Sequence, residues 1–237
     1  MMGDLGGDLV ENMGDEYLET HERRFNITIS HLEAEGLLKD GISILELGTP
    51  TVFTEMLNER FDVNITNTST DLRYDIPITE KKFDLVLCME LIEHIKDQNT
   101  EDLGELASFN GSGIKNLISE CARLLKIGGA LFVSTPNVHC YKVFENWCKN
   151  IDLYTYNPHP RELSMSYLEE VLGEHFDLNV RYIKCWDCHG ADTHLMELAK
   201  EFLKQNGFSY DHRDKGDIFI TCISKKKGET EGAVEVD

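Results

Sequence analysis

The sequence predicts an α/β fold in which a doubly wound, mostly parallel sheet lies between two layers of helices. Short apolar runs alternate with segments of helical periodicity along the chain, and this alternation is typical of strands joined through helices into a parallel sheet. The run Phe83–Met89 is apolar on both faces, as a central parallel strand must be. A final strand next to its predecessor would suit an antiparallel edge on an otherwise parallel sheet.

The N-terminal half is predicted to hold two helices and three strands. Phe25, Ile29 and Leu32 recur at helical spacing and form the apolar stripe of the first helix. Thr51 lies where it would cap the second helix, and Pro50 is near its start. Each strand is a short apolar run bounded by turn residues. In order, the elements are a helix over residues 17–38, a strand over 42–47, a helix over Val52–Arg60, a strand over 62–68 and a strand over Phe83–Met89.

The C-terminal half is predicted to begin with a helical stretch near Glu90 and to continue the alternation. Ile114, Leu117 and Ile118 are spaced for one face of a helix, which Gly128 then stops. The apolar runs that follow predict three further strands. In order, the elements are a helix over residues 113–125, a strand over 130–134, a helix over 166–172, a strand over 178–184, a helix over Thr193–Gln205 and a strand over 216–224.

The charge balance excludes some classes of partner. The chain carries 43 acidic and 23 basic residues, for a net charge of −20. Such an acidic surface repels phosphate backbones, so we expect no nucleic-acid partner. No stretch approaches the roughly 20 apolar residues that a membrane span requires, and the N-terminus is acidic rather than signal-like. We therefore expect a cytoplasmic protein with no membrane partner. The oligomeric state cannot be read from the sequence.

A first candidate site follows the first strand, at Glu46-Leu47-Gly48. Ligands of open α/β sheets bind beyond the carboxyl ends of the strands. A glycine there permits close approach of the backbone to a ligand, and the Glu46 carboxylate would suit the ammonium of an amino-acid-like cofactor. A strand followed by an ordinary tight turn explains the same residues, so this motif alone leaves both interpretations open.

Two longer motifs follow in order, FDLVLCMELIEHI over residues 83–95 and LLKIGGALFVSTPN over residues 124–137. Together with the first motif, they resemble the class I S-adenosylmethionine (SAM)-dependent methyltransferases. They are especially similar to the branch of ubiquinone-biosynthesis O-methyltransferases and methyltransferases of bacterial glycan clusters. The resemblance covers residues 17–226, and implies a Rossmann-like, three-layer fold for that domain. Residues 1–16 are then expected to be a flexible leader and residues 227–237 a flexible acidic tail.

The resemblance implies methyl transfer from SAM to an oxygen or nitrogen of a small-molecule or glycan-precursor acceptor. Two departures from the family pattern stand out. The first motif has Gly48 as its single glycine and Pro50 in the turn. None of residues 67–69, where the family places the acid that binds the ribose, is acidic. Asp71 is the nearest acid. The residues implied in cofactor binding are Tyr17, Arg24, Glu46, Gly48, Thr49, Asp71, Leu72, Met89 and Glu90. Of these, Tyr17 and Arg24 would belong to a lid formed by the first helix.

A second candidate site comprises Glu90, Glu93 and His94, which would share one face of the predicted helix. Two carboxylates and an imidazole make half of a divalent-metal site. Some members of the resembled group hold a metal with an E-x-x-E-H set and a later histidine, which implies His159 as the fourth ligand. His94 and His159 are also candidates for the base that removes a proton from a hydroxyl acceptor. The alternative is structural: acids suit the first turn of any helix.

Three other functions compete with this interpretation. A nicotinamide dehydrogenase requires G-x-G-x-x-G after the first strand and an acid about 20 residues later, and the sequence has neither. A small-RNA methyltransferase would share the Glu90, Glu93, His94 and His159 set, but the acidic balance argues against a long RNA. A catalytically impaired binding protein that keeps the methyltransferase fold stays open, because the first motif has lost glycines.

Overall fold

A computed structural model describes residues 7–79, 83–102, 104, 110–151, 159–185 and 192–225, without the side chains of residues 7–20. Its helices are α1 (Gly7–Ala34), α2 (Val52–Arg60), α3 (Ser112–Leu124), α4 (Tyr141–Cys148), α5 (Met165–Gly173) and α6 (Thr193–Gln205). Its strands are β1 (Ser43–Leu47), β2 (Asn64–Thr68), β3 (Phe83–Met89), β4 (Leu125–Pro136), β5 (Phe176–Ile183) and β6 (Asp217–Ser224). Within the described residues, no helix is both long and apolar enough to cross a membrane.

The six strands form one sheet in the order β2-β1-β3-β4-β6-β5. The first four strands run parallel, and β6 is antiparallel to both of its neighbours. The predicted fold class is therefore confirmed. The predicted edge position of the last strand is wrong, because β6 lies between β4 and β5. Most of β6 is buried, whereas most of β5 is half-exposed. The residues of β5 therefore suit the edge position of the sheet better than those of β6.

Two apolar cores cover the two faces of the sheet. On one face, Ile114 and Leu117 of α3 and Leu168 of α5 pack against the strands. On the other face, Phe25 of α1 and Phe53 of α2 belong to the second core. Helices on both faces bury the central strands from both sides, and the strand ends are left as the place where polar side chains gather.

The pairing register brings the ends of four strands to one edge. Met89 at the end of β3 pairs with Ser134 of β4, and Pro136 at the end of β4 pairs with Asp217, the first residue of β6. β1 ends one residue after Glu46, which pairs with Leu87. Residues far apart in the chain therefore meet at the carboxyl edge of the parallel strands.

The helix predicted to begin at Glu90 does not form. Glu90 has a left-handed backbone with φ +48°, and Ile92–His94 make one short 3-10 turn. A residue with positive φ cannot continue into an α-helix. Other bounds differ as well: α1 begins at Gly7 rather than at residue 17, β4 begins at Leu125 rather than at residue 130, and α4 has no counterpart in the prediction.

Candidate active site

Glu46 is buried at the end of β1 and is held by two side chains. Its Oε2 accepts hydrogen bonds from Oγ1 of Thr54 at 2.5 Å and from Nδ2 of Asn67 at 3.0 Å. Burial raises the pKa of Glu46, and these hydrogen bonds act in the opposite direction. Thr54 also accepts the backbone N–H of Thr51 at 2.9 Å, so the start of α2 orients the carboxylate. The result is an oriented acid at the mouth of the first strand.

The turn after β1 runs close to β2 and leaves space beside it. Gly48 has φ +103°, and no heavy atom lies within 4 Å of the position that a Cβ would take. Gly48 also bridges to Thr68 at the end of β2. Thr51 then caps α2, with Pro50 directly before it. A single glycine therefore suffices to turn the chain at this point, and the side of the turn without side chains faces open space.

A pocket of about 70 Å³ lies between this turn and the end of β3. The first helix covers it. Pockets for small molecules usually enclose about 300–1,000 Å³, so side chains of α1 must shift before a nucleoside can enter fully. The lining residues are Arg24, Phe25, Thr28, Glu46, Leu47, Thr49, Thr51, Leu87, Met89 and Ser134. Four of the residues implied in cofactor binding are among them: Arg24, Glu46, Thr49 and Met89.

Arg24 and Glu90 connect α1 to the sheet edge. Nη1 of Arg24 lies 3.1 Å from Oε2 of Glu90, and both side chains are mostly buried. The backbone N–H of Glu90 donates to the carbonyl oxygen of Ser134 at 2.9 Å, which fixes the left-handed residue to β4. Glu90 is thus an ion-pair partner of the first helix.

Asp217 is a third acid at this edge, and the sequence analysis missed it. Its side chain is buried and accepts the backbone N–H of Cys185 at 3.2 Å. Burial, with the negative charge of Glu90 second, raises the pKa of Asp217 to about 7. The only signal in the sequence was an acid directly before the apolar run of β6.

Glu93, His94 and His159 form a second cluster, which begins four residues after the end of β3. One ligand atom from each lies within 4.8 Å of the others. Nε2 of His159 is 4.0 Å from Oε1 of Glu93, and the two imidazole rings lie edge to face at 4.6 Å. Glu90, the fourth residue of the predicted metal set, is not in this cluster, because its carboxylate turns to Arg24. The left-handed backbone at Glu90 explains the difference, since the predicted helical face does not exist.

Only one of the two carboxylate oxygens of Glu93 has a hydrogen-bond partner among the described residues. Its Oε2 accepts a hydrogen bond from Oγ1 of Thr135 at 3.0 Å, whereas Oε1 is buried and has no hydrogen-bond partner among the residues that the structure describes. Burial raises the pKa of Glu93 well above its usual range, and the charge of Glu90 adds to the effect. Burial and the neighbouring His159 lower the pKa of His94. A buried oxygen without a donor, beside two imidazoles, is suited to a proton or a cation.

The remaining implied residues lie elsewhere. Asp71 is exposed and pairs with Nη2 of Arg73 at 2.7 Å, and hydrogen bonds from Arg73 lower its pKa. Leu72 is buried in the apolar core on the α3 side of the sheet. Neither residue lines the pocket. The side chain of Tyr17 lies outside the described part of the chain, although its backbone belongs to α1.

Comparison with known proteins identifies the family. A family model described as "Methyltransferase domain" matches residues 18–183. A ubiquinone biosynthesis O-methyltransferase of Coxiella burnetii is 29% identical over 142 residues, which cover 47% of this chain and 54% of that protein. The match therefore spans about half the length of that relative.

Solved structures share the fold at low sequence identity. A SAM-dependent methyltransferase from Archaeoglobus fulgidus superposes with a TM-score of 0.54 at 14% identity, covering 88% of this chain and 99% of the other. Phosphoethanolamine N-methyltransferase 2 of Haemonchus contortus gives 0.53 at 15% identity, covering 85% of this chain and 53% of the other. The family match extends over most of the chain, includes both strand-end sites, and shows that this protein belongs to the methyltransferase domain family.

Proposed function

We propose that the protein transfers the methyl group of SAM to an oxygen or nitrogen of a small-molecule or glycan-precursor acceptor. One relationship carries the proposal. Ser134 lines the pocket, and the next residue, Thr135, holds Glu93 of the second cluster. Successive residues of a strand point to opposite faces. The cofactor would therefore contact Ser134 on one face of β4, and the acceptor would lie near Thr135 and Glu93 on the other.

The cofactor side has groups that match SAM. SAM supplies an activated methyl group on a sulfonium. Glu46 would accept hydrogen bonds from the ammonium of SAM, and Arg24, which also lines the pocket, would supply a cation for the carboxylate of SAM. Phe25 and Thr28 of α1 would exclude water once the helix closes over the ligand. Removing water strengthens each of these charge interactions.

The acceptor side fits a divalent ion held by Glu93, His94 and His159. Carboxylate and imidazole ligands suit first-row divalent metals, and no described residue hydrogen-bonds to the Oε1 atom of Glu93. A bound ion would lower the pKa of an acceptor hydroxyl and orient it. Without an ion, His94 is suited to act as the base, because its lowered pKa keeps it neutral and able to accept a proton.

The small pocket favours a second candidate, a binding protein with the methyltransferase fold but without turnover. The pocket has about 70 Å³ of free space, and its turn has one glycine. Calorimetry with S-adenosylhomocysteine tests the first candidate, and transfer of a labelled methyl group from SAM then distinguishes an enzyme from a binding protein. The methyltransferase proposal expects binding, and it fails if millimolar ligand gives no heat.

A matched pair of variants tests Glu46. We expect Glu46→Gln to weaken binding of S-adenosylhomocysteine at least tenfold, because a charged hydrogen bond contributes about 1.5–3 kcal/mol. Glu55→Gln changes an exposed glutamate of α2 and should leave the affinity unchanged. Equal affinities for the two variants would remove Glu46 from the cofactor site.

The metal assignment has its own experiment. Wild-type protein should take up a divalent ion, and Glu93→Ala should lose it together with metal-dependent methylation of hydroxyl acceptors. Glu101→Ala, at an exposed position, is the control. If Glu93→Ala keeps both metal content and activity, the cluster is structural and the metal assignment fails.

A further inference from the structure

His159 lies between two buried carboxylates. Its Nδ1 is 3.1 Å from Oε1 of Glu162, and its Nε2 is 4.0 Å from Oε1 of Glu93. The side chains of Glu162, His159 and Glu93 are 8%, 5% and 1% exposed. The first distance is that of a hydrogen bond, whereas the second is too long for one. The two ring nitrogens of His159 therefore have different partners.

Glu162 is held by the residues on either side of it. Arg161 donates to Oδ2 of Asp97 at 2.8 Å, and Leu163 is buried in the core. Ser164 then caps α5 by accepting the backbone N–H of Tyr167. Because the chain is anchored before and after Glu162, its carboxylate is kept in a defined position beside the imidazole.

A neutral imidazole has one N–H donor and one acceptor nitrogen, and an ionised carboxylate only accepts. A carboxylate beside Nδ1 therefore selects the tautomer with the proton on Nδ1 and leaves the lone pair on Nε2. Histidines that bind metals usually donate their other N–H to such a group, which fixes the ring and raises its basicity. Two atoms bound to one zinc ion at about 2.0–2.2 Å lie at most about 4.4 Å apart, and the Nε2 to Glu93 distance is within that limit.

We propose that Glu162 is a positioning residue that holds His159 as the Nδ1–H tautomer and directs its Nε2 at the cation or proton beside Glu93. This inference extends the metal site of the proposed function. Glu162 touches neither ion nor acceptor; it acts through His159. The sequence assigns no role to Glu162, because that role depends on a contact with His159 that folding creates.

The first test measures Zn²⁺ affinity by calorimetry at pH 8 on the full chain. Glu162→Ala should bind Zn²⁺ about 10- to 100-fold more weakly than wild type, as for other partners of metal-bound histidines. Glu162→Gln should recover most of the loss, because its amide oxygen still accepts from Nδ1. Glu170→Ala, an exposed carboxylate of α5, should bind as wild type does.

The second test reads the tautomer in metal-free protein. Nitrogen-15 NMR of the His159 ring should show a protonated Nδ1 and an unprotonated Nε2 in wild type and in Glu162→Gln. Glu162→Ala should give a mixture of tautomers. A fixed Nδ1–H tautomer in a protein that binds no Zn²⁺ supports the positioning role while the metal assignment fails. An Nε2–H tautomer in wild type, or a Glu162→Ala variant unchanged in tautomer and affinity, overturns the inference.

Discussion

Arg24 of α1, which lines the pocket, forms an ion pair with Glu90, the residue after β3, with 3.1 Å between Nη1 and Oε2. The pair is mostly buried and links the covering helix to the sheet edge. Asp217 adds a further carboxylate beside Glu90. Within the described residues, Arg24 is therefore the cation beside the carboxyl groups of Glu90 and Asp217. Its loss would leave the negative charge of Glu90 uncompensated.

Replacing Arg24 should weaken both cofactor binding and the fold. We expect Arg24→Gln to reduce affinity for S-adenosylhomocysteine about tenfold or more, and to lower the free energy of unfolding by about 1–3 kcal/mol, because Glu90 loses its partner. Calorimetry and urea denaturation measure the two effects. Arg23→Gln, at the exposed neighbouring position, is the control. Unchanged affinity in Arg24→Gln would argue against a role of α1 in the site.

Asp217 should make stability depend on pH. Its pKa is raised from 3.8 to about 7 by burial, so between these values the folded chain holds a proton that the unfolded chain has released. The free energy of unfolding from this group therefore falls as pH rises from about 4 to 7. Asp217→Asn should remove that slope and be more stable than wild type at pH 8 by about 1–3 kcal/mol.

Denaturant midpoints across this pH range measure the effect. Asp177→Asn, at an exposed position of β5, should keep the wild-type slope. A slope that survives in Asp217→Asn would show that another group is responsible.

Thr135 should stabilise the protein through its hydrogen bond to the buried carboxyl of Glu93. Thr135→Val removes the hydroxyl that donates to Oε2 of Glu93, so the buried carboxyl loses this hydrogen bond. The expected cost is about 1–3 kcal/mol in metal-free protein. Thr135→Ser keeps the donor and should lose about 0.8 kcal/mol for the missing methyl group. Denaturation of both variants side by side tests the difference, and equal losses would rule out the hydrogen bond as the cause.

Two glycines in helices should respond in opposite ways to alanine. A Cβ on Gly113 would lie 2.0 Å from the backbone oxygen of Lys96, so Gly113→Ala should destabilise the protein by about 2–3 kcal/mol or more. Gly173 has no heavy atom within 4 Å of its Cβ position, so Gly173→Ala should be neutral or stabilise by up to about 1 kcal/mol. Thermal unfolding of the two variants checks the contrast.

Strands and helices with strong apolar patterns were predictable from the sequence. β3 and α2 have the bounds that the pattern predicts. The start of β4 was missed because Lys126, Ile127 and Gly128 are exposed and lack the alternation of a buried strand. The eight residues of α4 follow a turn and are too few for a clear helical period.

The candidate site was predictable only where its residues stand within motifs. Glu46, Met89 and Glu93 lie at strand ends that the motifs mark. The roles of Thr135 and Glu162 were not predictable, although Thr135 stands within the motif over residues 124–137, because each role depends on a contact that folding creates: Thr135 reaches a residue 42 positions away. The acids at positions 90 and 93 suggested a helix start, and the left-handed backbone of Glu90 contradicts it.

That left-handed backbone also restricts which amino acids can replace Glu90. Glycine, asparagine and aspartate tolerate φ +48°, whereas β-branched residues strongly disfavour it. Among these three, aspartate alone keeps a negative charge, on a side chain one methylene shorter. Related enzymes that dispense with the acid are therefore expected to carry glycine or asparagine at this position, and one that carries valine or isoleucine would need a differently routed chain between its third strand and the histidine pair.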